Sequence, residues 1–364
     1  MLTRHIAALA TAGALVLGVA ACTSSPDRGH ASSATQPGLA GAAPSSAASA
    51  PAEPGAITLE FAGDVHFMDR TATLLKDDPA TTFGPIASVL SAADVTAVNL
   101  ETAITTRGTE QPKTFHFRAP ATAFDALRAA GIDAVTLANN HMLDYGRVGL
   151  SDTLSNAEKA QFPAFGAGAD ADAAWKPWIT TVRGTKIAYL GISDVQELAS
   201  SWIATDSRSG LAIADNLSRS VAAVKAAKKQ ADIVVVFMHW GIEQDSCPSS
   251  AQKTLAKQLS NAGADIIVGA HAHVLQGSGW LGNTFVAYGM GNFLWWRDVN
   301  GTQEGVLKLT IPNADVTQLT ATFIPAKLTS TGQPKVVTGN AAKTAVANYD
   351  KLRGCTGLST KRQP

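Results

Sequence analysis

The 364-residue chain has no excess of charge in either direction: 29 basic and 29 acidic side chains cancel, so composition gives no argument for a nucleic-acid partner. Cysteine is scarce, with three in all. An apolar run long enough to cross a bilayer is also missing from the start of the chain, because the stretch from Ile6 to Ala21 falls short of the roughly 20 residues a membrane helix needs. That stretch follows Arg4 and leads into Val19-Ala20-Ala21-Cys22. Small residues before a cysteine suit a signal-peptidase cleft, so residues 1–22 read as a lipoprotein signal with Cys22 as the lipidated first residue. The expected location is extracytoplasmic, with a lipid anchor in the cell membrane.

Residues 23–55 are mostly Ser, Ala, Pro and Gly and read as a flexible tether. No comparable linker interrupts the remainder of the chain. Its roughly 300 residues are enough for one large core, and we assign 56–330 to a single domain and 331–364 to a C-terminal extension.

Within the domain, one pattern recurs. A short apolar strand, often preceded by a helical stretch, ends in residues that bind metals or move protons. Ile57 to Ala62 leads to Gly63-Asp64-Val65-His66, and Val95 to Val98 leads to Asn99-Leu100-Glu101. Ile132 to Leu137 opens into Ala138-Asn139-Asn140-His141 with Asp144 behind it. Ile233 to Met238 leads to His239-Trp240-Gly241-Ile242-Glu243, and Ile266 to Val268 leads to Gly269-Ala270-His271-Ala272-His273. Of the eight histidines, His5 and His30 lie in the leader and tether and His116 lies apart; the other five sit at strand ends. Open α/β sheets bind ligands outside the carboxyl ends of their strands, so this placement predicts a single site. At a spacing of two, His271 and His273 face one side if the segment stays extended.

Alternating helices and buried strands predict an α/β fold, and the hairpin-like Trp178 to Val182 and Lys186 to Ile192, with later strands at Thr284 to Tyr288, Gly305 to Ile311 and Val316 to Ile324, predict mixed sheets. Two carboxylates, an asparagine and four or five histidines exceed one tetrahedral zinc. They suit two divalent ions sharing a carboxylate, as in centres that activate water for phosphoryl displacement; manganese, iron and zinc all accept such ligands.

Gly63-Asp64-x-His66, Asn140-His141, His239 and Gly269-x-His271-x-His273 resemble the ordered motifs of the calcineurin-like metallophosphoesterase superfamily. With Asn99-Leu100-Glu101, Asp144, Gly146, Glu243 and Gly289-x-Gly291-Asn292-Phe293, the pattern is similar to the CapA family of poly-γ-glutamate capsule synthesis proteins, over about Ile57 to Ile311. The resemblance implies a metallophosphoesterase-like layered sandwich of two mixed β-sheets flanked by helices. It implies that Asp64, His66 and His273 bind one metal, that Asn140, His239 and His271 bind the other, that Glu101 bridges, and that His141 is the acid for the leaving group. The superfamily's usual bridge is an aspartate, so Glu101 is a departure whose extra methylene is expected to alter metal spacing. Asn99, Asn139, Asp144, Glu243 and Asn292 are candidates for supporting the ligands, although Glu243 reads equally as a surface loop residue and Asn292 as a turn residue.

The implied function is synthesis, export or attachment of an anionic surface polymer, with a polymer synthase complex as partner. The alternatives are an independent phosphoesterase on a cell-envelope phosphate and a non-catalytic polymer-binding subunit. Trp240, Trp295 and Trp296 either line a polymer groove or pack beside the strand ends. Cys247 and Cys355, the two cysteines left in a compartment that permits disulfides, are expected to pair and tie the C-terminal tail to the loop after His239.

Overall fold

The computed structural model describes residues 55–297 and 303–363; the leader, Cys22 and the tether up to residue 54 lie outside them. Two mixed sheets are stacked between layers of helices. In the first, the order is Pro334–Val336, Thr320–Leu328, Gln303–Ile311, Ile57–Val65, Val95–Leu100, Ala134–Thr136, Ala164–Phe165, with Asn292–Leu294 paired to the end of Ile57–Val65. Strands from Ile57–Val65 onward in that order run parallel, whereas the three C-terminal ones are antiparallel. In the second sheet Thr284–Met290, Ile266–His271, Ile233–Trp240 and Thr185–Ser193 are parallel, flanked by the antiparallel edges Leu275–Leu281 and Trp178–Val182.

Strand periodicity explains the layering. Ile233, Val235 and Phe237 point with Ile266, Val268, Leu59 and Phe61 into the core between the sheets. The alternate residues Val234, Val236 and Met238 pack instead with Leu255 and Leu259 of the helix Ser250–Ala262 and Val224 of the helix Leu217–Lys228. Strands with apolar residues on both faces are what a sheet covered on both sides requires. A third cluster joins Leu100, Val135 and Leu137 to Phe124, Leu127 and Leu150 on the outer face of the first sheet.

Local chemistry sets the joints. Ser249 and Gln252 form a reciprocal capping box, and Gly263, at φ 109°, closes the same helix in the left-handed region. The turn Arg183-Gly184 has both residues at positive φ, 48° and 85°, the geometry whose twist suits a two-residue hairpin. Asp94, Asp133, Asp232 and Asp265 accept the backbone N–H of Thr58, Thr96, Lys186 and Val234, each at 2.8 Å. Each pins the start of a neighbouring strand.

Two details differ from the sequence reading. The strand expected from Val316 begins only at Thr320, because Val316–Gln318 is a 3₁₀ turn in which the Asp315 carboxylate accepts from Thr317 N–H. Beyond residue 330 the chain continues the first sheet through Pro334–Val336, and the helix Gly339–Lys351 stacks Tyr349 on Phe323 with ring centroids 4.0 Å apart. A disulfide joins Cys247 to Cys355 with Cα atoms 5.7 Å apart. Among the described residues no helix is long and apolar enough to cross a membrane.

Candidate metal centre

The parallel strands of both sheets end at one place, and their terminal residues meet there. Close approach of the chains demands glycine at two positions. A Cβ on Gly63 would lie 1.8 Å from the Gly291 carbonyl oxygen, and one on Gly269 would lie 1.9 Å from that of Tyr288. These are the glycines that precede Asp64 and His271, so their role is to let the ligand-bearing strands pack tightly.

Asp64 is fully buried; one oxygen accepts from Asn99 Nδ2 at 2.8 Å and the other lies 3.1 Å from His273 Nδ1. Glu101, also fully buried, sits between two imidazoles: Oε2 is 3.0 Å from His66 Nε2 and Oε1 is 3.2 Å from His239 Nε2. His239 Nε2 also meets Asn140 Oδ1 at 2.8 Å, and its Nδ1 lies 3.2 Å from Asn99 Nδ2. His271 packs beside His239 with ring centroids 4.8 Å apart. All seven residues expected as ligands therefore converge.

Two sets of donor atoms lie within 4.8 Å of one another: Glu101 with His271 and His273, and Asp64 with Glu101 and His239. Glu101 belongs to both. The extra methylene of glutamate does not pull its carboxylate out of the site, because Glu101 lies just past the strand Val95–Leu100 and its longer stem spans the gap between His66 and His239. This grouping divides the histidines differently from the division that the sequence resemblance implies, while leaving Glu101 central in each.

Could these residues hold metal? Among the described residues, the buried His66 Nδ1, His271 Nδ1 and Glu101 Oε1 make no hydrogen bond. Buried polar atoms are normally paired, and three lone-pair donors left over in one cluster of imidazoles and carboxylates fit divalent cations.

Electrostatics fit as well. Burial works against the charge on Glu101, but the flanking His239 and His66 outweigh it and hold its carboxyl well below the usual carboxylate range. Burial, then the neighbouring His239, pushes the His271 imidazole far down, so it stays a neutral donor. Burial also opposes charge on His273, yet its hydrogen bond to Asp64 and the nearby Glu101 push it up to about 9. A cation binding there must displace that proton.

The sequence had His271 and His273 facing one side on condition that the segment stayed extended, and that condition is not met. Both have positive φ, 90° and 56°. For non-glycine residues this costs on the order of 1–3 kcal/mol each and clusters at functional sites. Their rings reach the same site, 5.8 Å apart, through a left-handed kink that also lets His271 N–H donate to Asp64 Oδ2 at 3.3 Å.

His141 stands beside the ligands without joining them. Its Nδ1 lies 2.7 Å from Asp144 Oδ2, and its backbone N–H donates to Asn139 Oδ1. Asn139 in turn donates to Asn99 Oδ1 and the Leu100 carbonyl. Asn292 contacts His273 twice: Oδ1 is 3.0 Å from His273 Nδ1, and Nδ2 donates to the His273 carbonyl. Glu243 is exposed on the loop, where its charge helps raise His273. Trp240 faces the core, donating its indole N–H to the Tyr288 carbonyl at 2.8 Å. His116 stays apart, on the Gln111 carbonyl.

Sequence reasoning missed Lys113, Glu197 and Phe117. The Lys113 side chain is 2 % exposed and sits 3.0 Å from both Asp144 Oδ1 and Glu197 Oε2, with Nζ also donating to the Asn140 carbonyl. Burial pushes Asp144 up to about 7 in spite of that ammonium; burial and Lys113 together push His141 well below its ordinary value. Phe117 lies against both His66 and His141, each at 4.4 Å. No periodicity or motif singles out these residues in the sequence. Trp295, one of the two tryptophans near Asn292, packs on His66 at 4.6 Å and on His273 at 4.8 Å.

The chain is 32% identical to the PGA biosynthesis protein CapA of Bacillus subtilis over 69% of its own length and 66% of that protein. It is 36% identical to the capsule biosynthesis protein CapA of Bacillus anthracis, over 54% of its length and 48% of that protein. The match thus spans between about half and two thirds of these curated relatives. Among solved structures, a phosphatase from Mycoplasma pneumoniae aligns with 79% of this chain and 96% of its own at 12% identity and a TM-score of 0.47. The family model of the bacterial capsule synthesis protein PGA_cap matches residues 58–295, a stretch that contains every ligand candidate described above, and the chain belongs to that family.

Proposed function

We propose that this chain is a lipid-anchored, extracytoplasmic accessory protein for making, exporting or attaching an anionic surface polymer of the poly-γ-glutamate type, and that it carries a two-metal hydrolase centre. The observation that carries the reading is Glu101, one buried carboxylate shared by two groups of donor atoms. In this reading Asp64, His66, Glu101, Asn140, His239, His271 and His273 would hold two divalent ions, Glu101 being the carboxylate common to both donor groups; manganese, iron and zinc all suit the donor set. Such a pair supplies a nucleophile at neutral pH and charge stabilisation for in-line displacement.

The chain's own residues do the rest. Asp144 and Lys113 fix the orientation of His141, so its Nε2 is the atom that exchanges a proton with the leaving oxygen. Asn99 and Asn292 orient Asp64 and His273, as residues behind a ligand shell commonly do. Phe117 and Trp295 cover the rings of His66 and His273 and limit water there.

The test pairs two variants. His239→Ala should lose at least one of close to two bound ions, measured by elemental analysis of the purified protein. His141→Ala should keep both ions and lose turnover of a simple phosphodiester by about 10² to 10⁴. A wild-type protein that binds no metal under metal-replete conditions refutes the centre. One that binds two ions and hydrolyses nothing favours a polymer-binding subunit.

A further inference from the structure

Outward from His141 runs a line of aromatic rings whose outer members, beyond Phe117, the centre itself does not use. Phe117 lies 4.4 Å from His141, Trp296 lies 5.5 Å from Phe117, and Phe115 lies 6.0 Å from Trp296. Phe115 is 45% exposed, which makes it one of three large apolar side chains left in solvent among the described residues. Over the outer two rings stands Arg297, its guanidinium carbon 4.9 Å from the Trp296 centroid and 5.4 Å from that of Phe115.

We propose that Phe115, Trp296 and Arg297 form a subsite for a carboxylate on an apolar stem, belonging to a chain whose reacting bond lies at the metal centre. The inference rests on the hydrolase reading for that bond and adds the chemistry of what is bound beside it. Three features support it. Arg297 is exposed and no carboxylate pairs with it among the described residues, whereas the nearer cation, Lys113, is already held by Asp144 and Glu197. A guanidinium laid over aromatic faces keeps its N–H edge available for two parallel bonds to a carboxylate. The indole N–H of Trp296 is buried and has no partner among the described residues.

The segment is also built to hold this position. Arg70 donates to three carbonyls, those of Trp295 at 3.0 Å, Ser330 at 3.1 Å and Arg297 at 2.7 Å. Trp295 N–H is fixed in turn by the Gly332 carbonyl at 3.0 Å. The guanidinium therefore starts from an anchored backbone, and less order has to be gained on binding. The choice of carboxylate over phosphate rests on the surroundings. A lone guanidinium between apolar ring faces matches one negative charge on a methylene stem, whereas a phosphate is drawn to the cation-binding centre three ring contacts inward.

The test titrates a short γ-linked glutamate oligomer into the full chain by calorimetry, with chelator present, so that metal occupancy and turnover play no part. Binding is expected for the wild type. Arg297→Gln should weaken it about 10-fold or more, Arg297→Lys should fall between because it keeps the charge and loses the fork, and Phe115→Leu should weaken it several-fold. Glycerol phosphate, titrated without chelator into metal-replete protein, serves as the second probe, and its affinity should not respond to Arg297→Gln. Equal oligomer affinity in wild type and Arg297→Gln, or no oligomer binding at all, overturns the proposal. So does a loss of glycerol phosphate affinity as large as that of the oligomer, which would make the subsite one for phosphate. Failure of the metal measurements above leaves the oligomer titration unaffected, so the two readings fail separately.

Discussion

Glu60 offers a quantitative check on the physics of the first sheet. It stands directly opposite Lys308 across the antiparallel pair Ile57–Val65 and Gln303–Ile311. It is 1% exposed, its carboxylate oxygens make no hydrogen bond among the described residues, and the Lys308 ammonium is 3.9 Å from Oε1. Burial raises the carboxyl to about 7 from an ordinary 4.5, and Lys308 recovers only part of the cost. Because the folded value lies above the unfolded one, the folded state binds the extra proton between these values, and stability is lost as pH rises through them. A shift of this size corresponds to about 3 kcal/mol. Glu60→Gln removes the titration, so the variant should gain on the wild type by up to about 3 kcal/mol on going from pH 4.5 to pH 8, or about 5 °C in melting temperature for a domain of this size. Thermal unfolding of both proteins across that range isolates the group, because every other titration cancels in the difference. A difference in melting temperature that does not change with pH would show that Glu60 is solvated or fully paired, and the argument from burial would fail.

Two further outcomes are expected. Replacing both Cys247 and Cys355 with Ser opens a loop of 108 residues and should cost about 4 to 5 kcal/mol by chain entropy, read by denaturant unfolding; intact mass spectrometry without reductant should show the wild-type thiols absent, and two free thiols would refute the bridge. Cys22→Ala should release the protein from membranes into the soluble fraction, and a variant that stays membrane-bound would exclude lipidation at that residue.

Much of the molecule could be read before any contact was known, because the signals concerned are local. The apolar runs Ile233 to Met238 and Ile266 to Val268 and the hairpin-like pair Trp178 to Val182 and Lys186 to Ile192 depend on neighbours a few residues away. Strand ends carrying Asp64, Glu101, Asn140, His239 and His271 predicted one site for the same reason: a strand's period and its end both lie within its own sequence. Tertiary structure decided the rest. The pairing of Asn99 with His239 spans 140 positions and that of Asp64 with His273 spans 209, and only the register of the two sheets brings them together. The left-handed turns at His271 and His273, the inward face of Trp240 and the burial of Lys113 between Asp144 and Glu197 have no local cause. Each arises where packing and a shared charge cluster outweigh the preference of the residue itself.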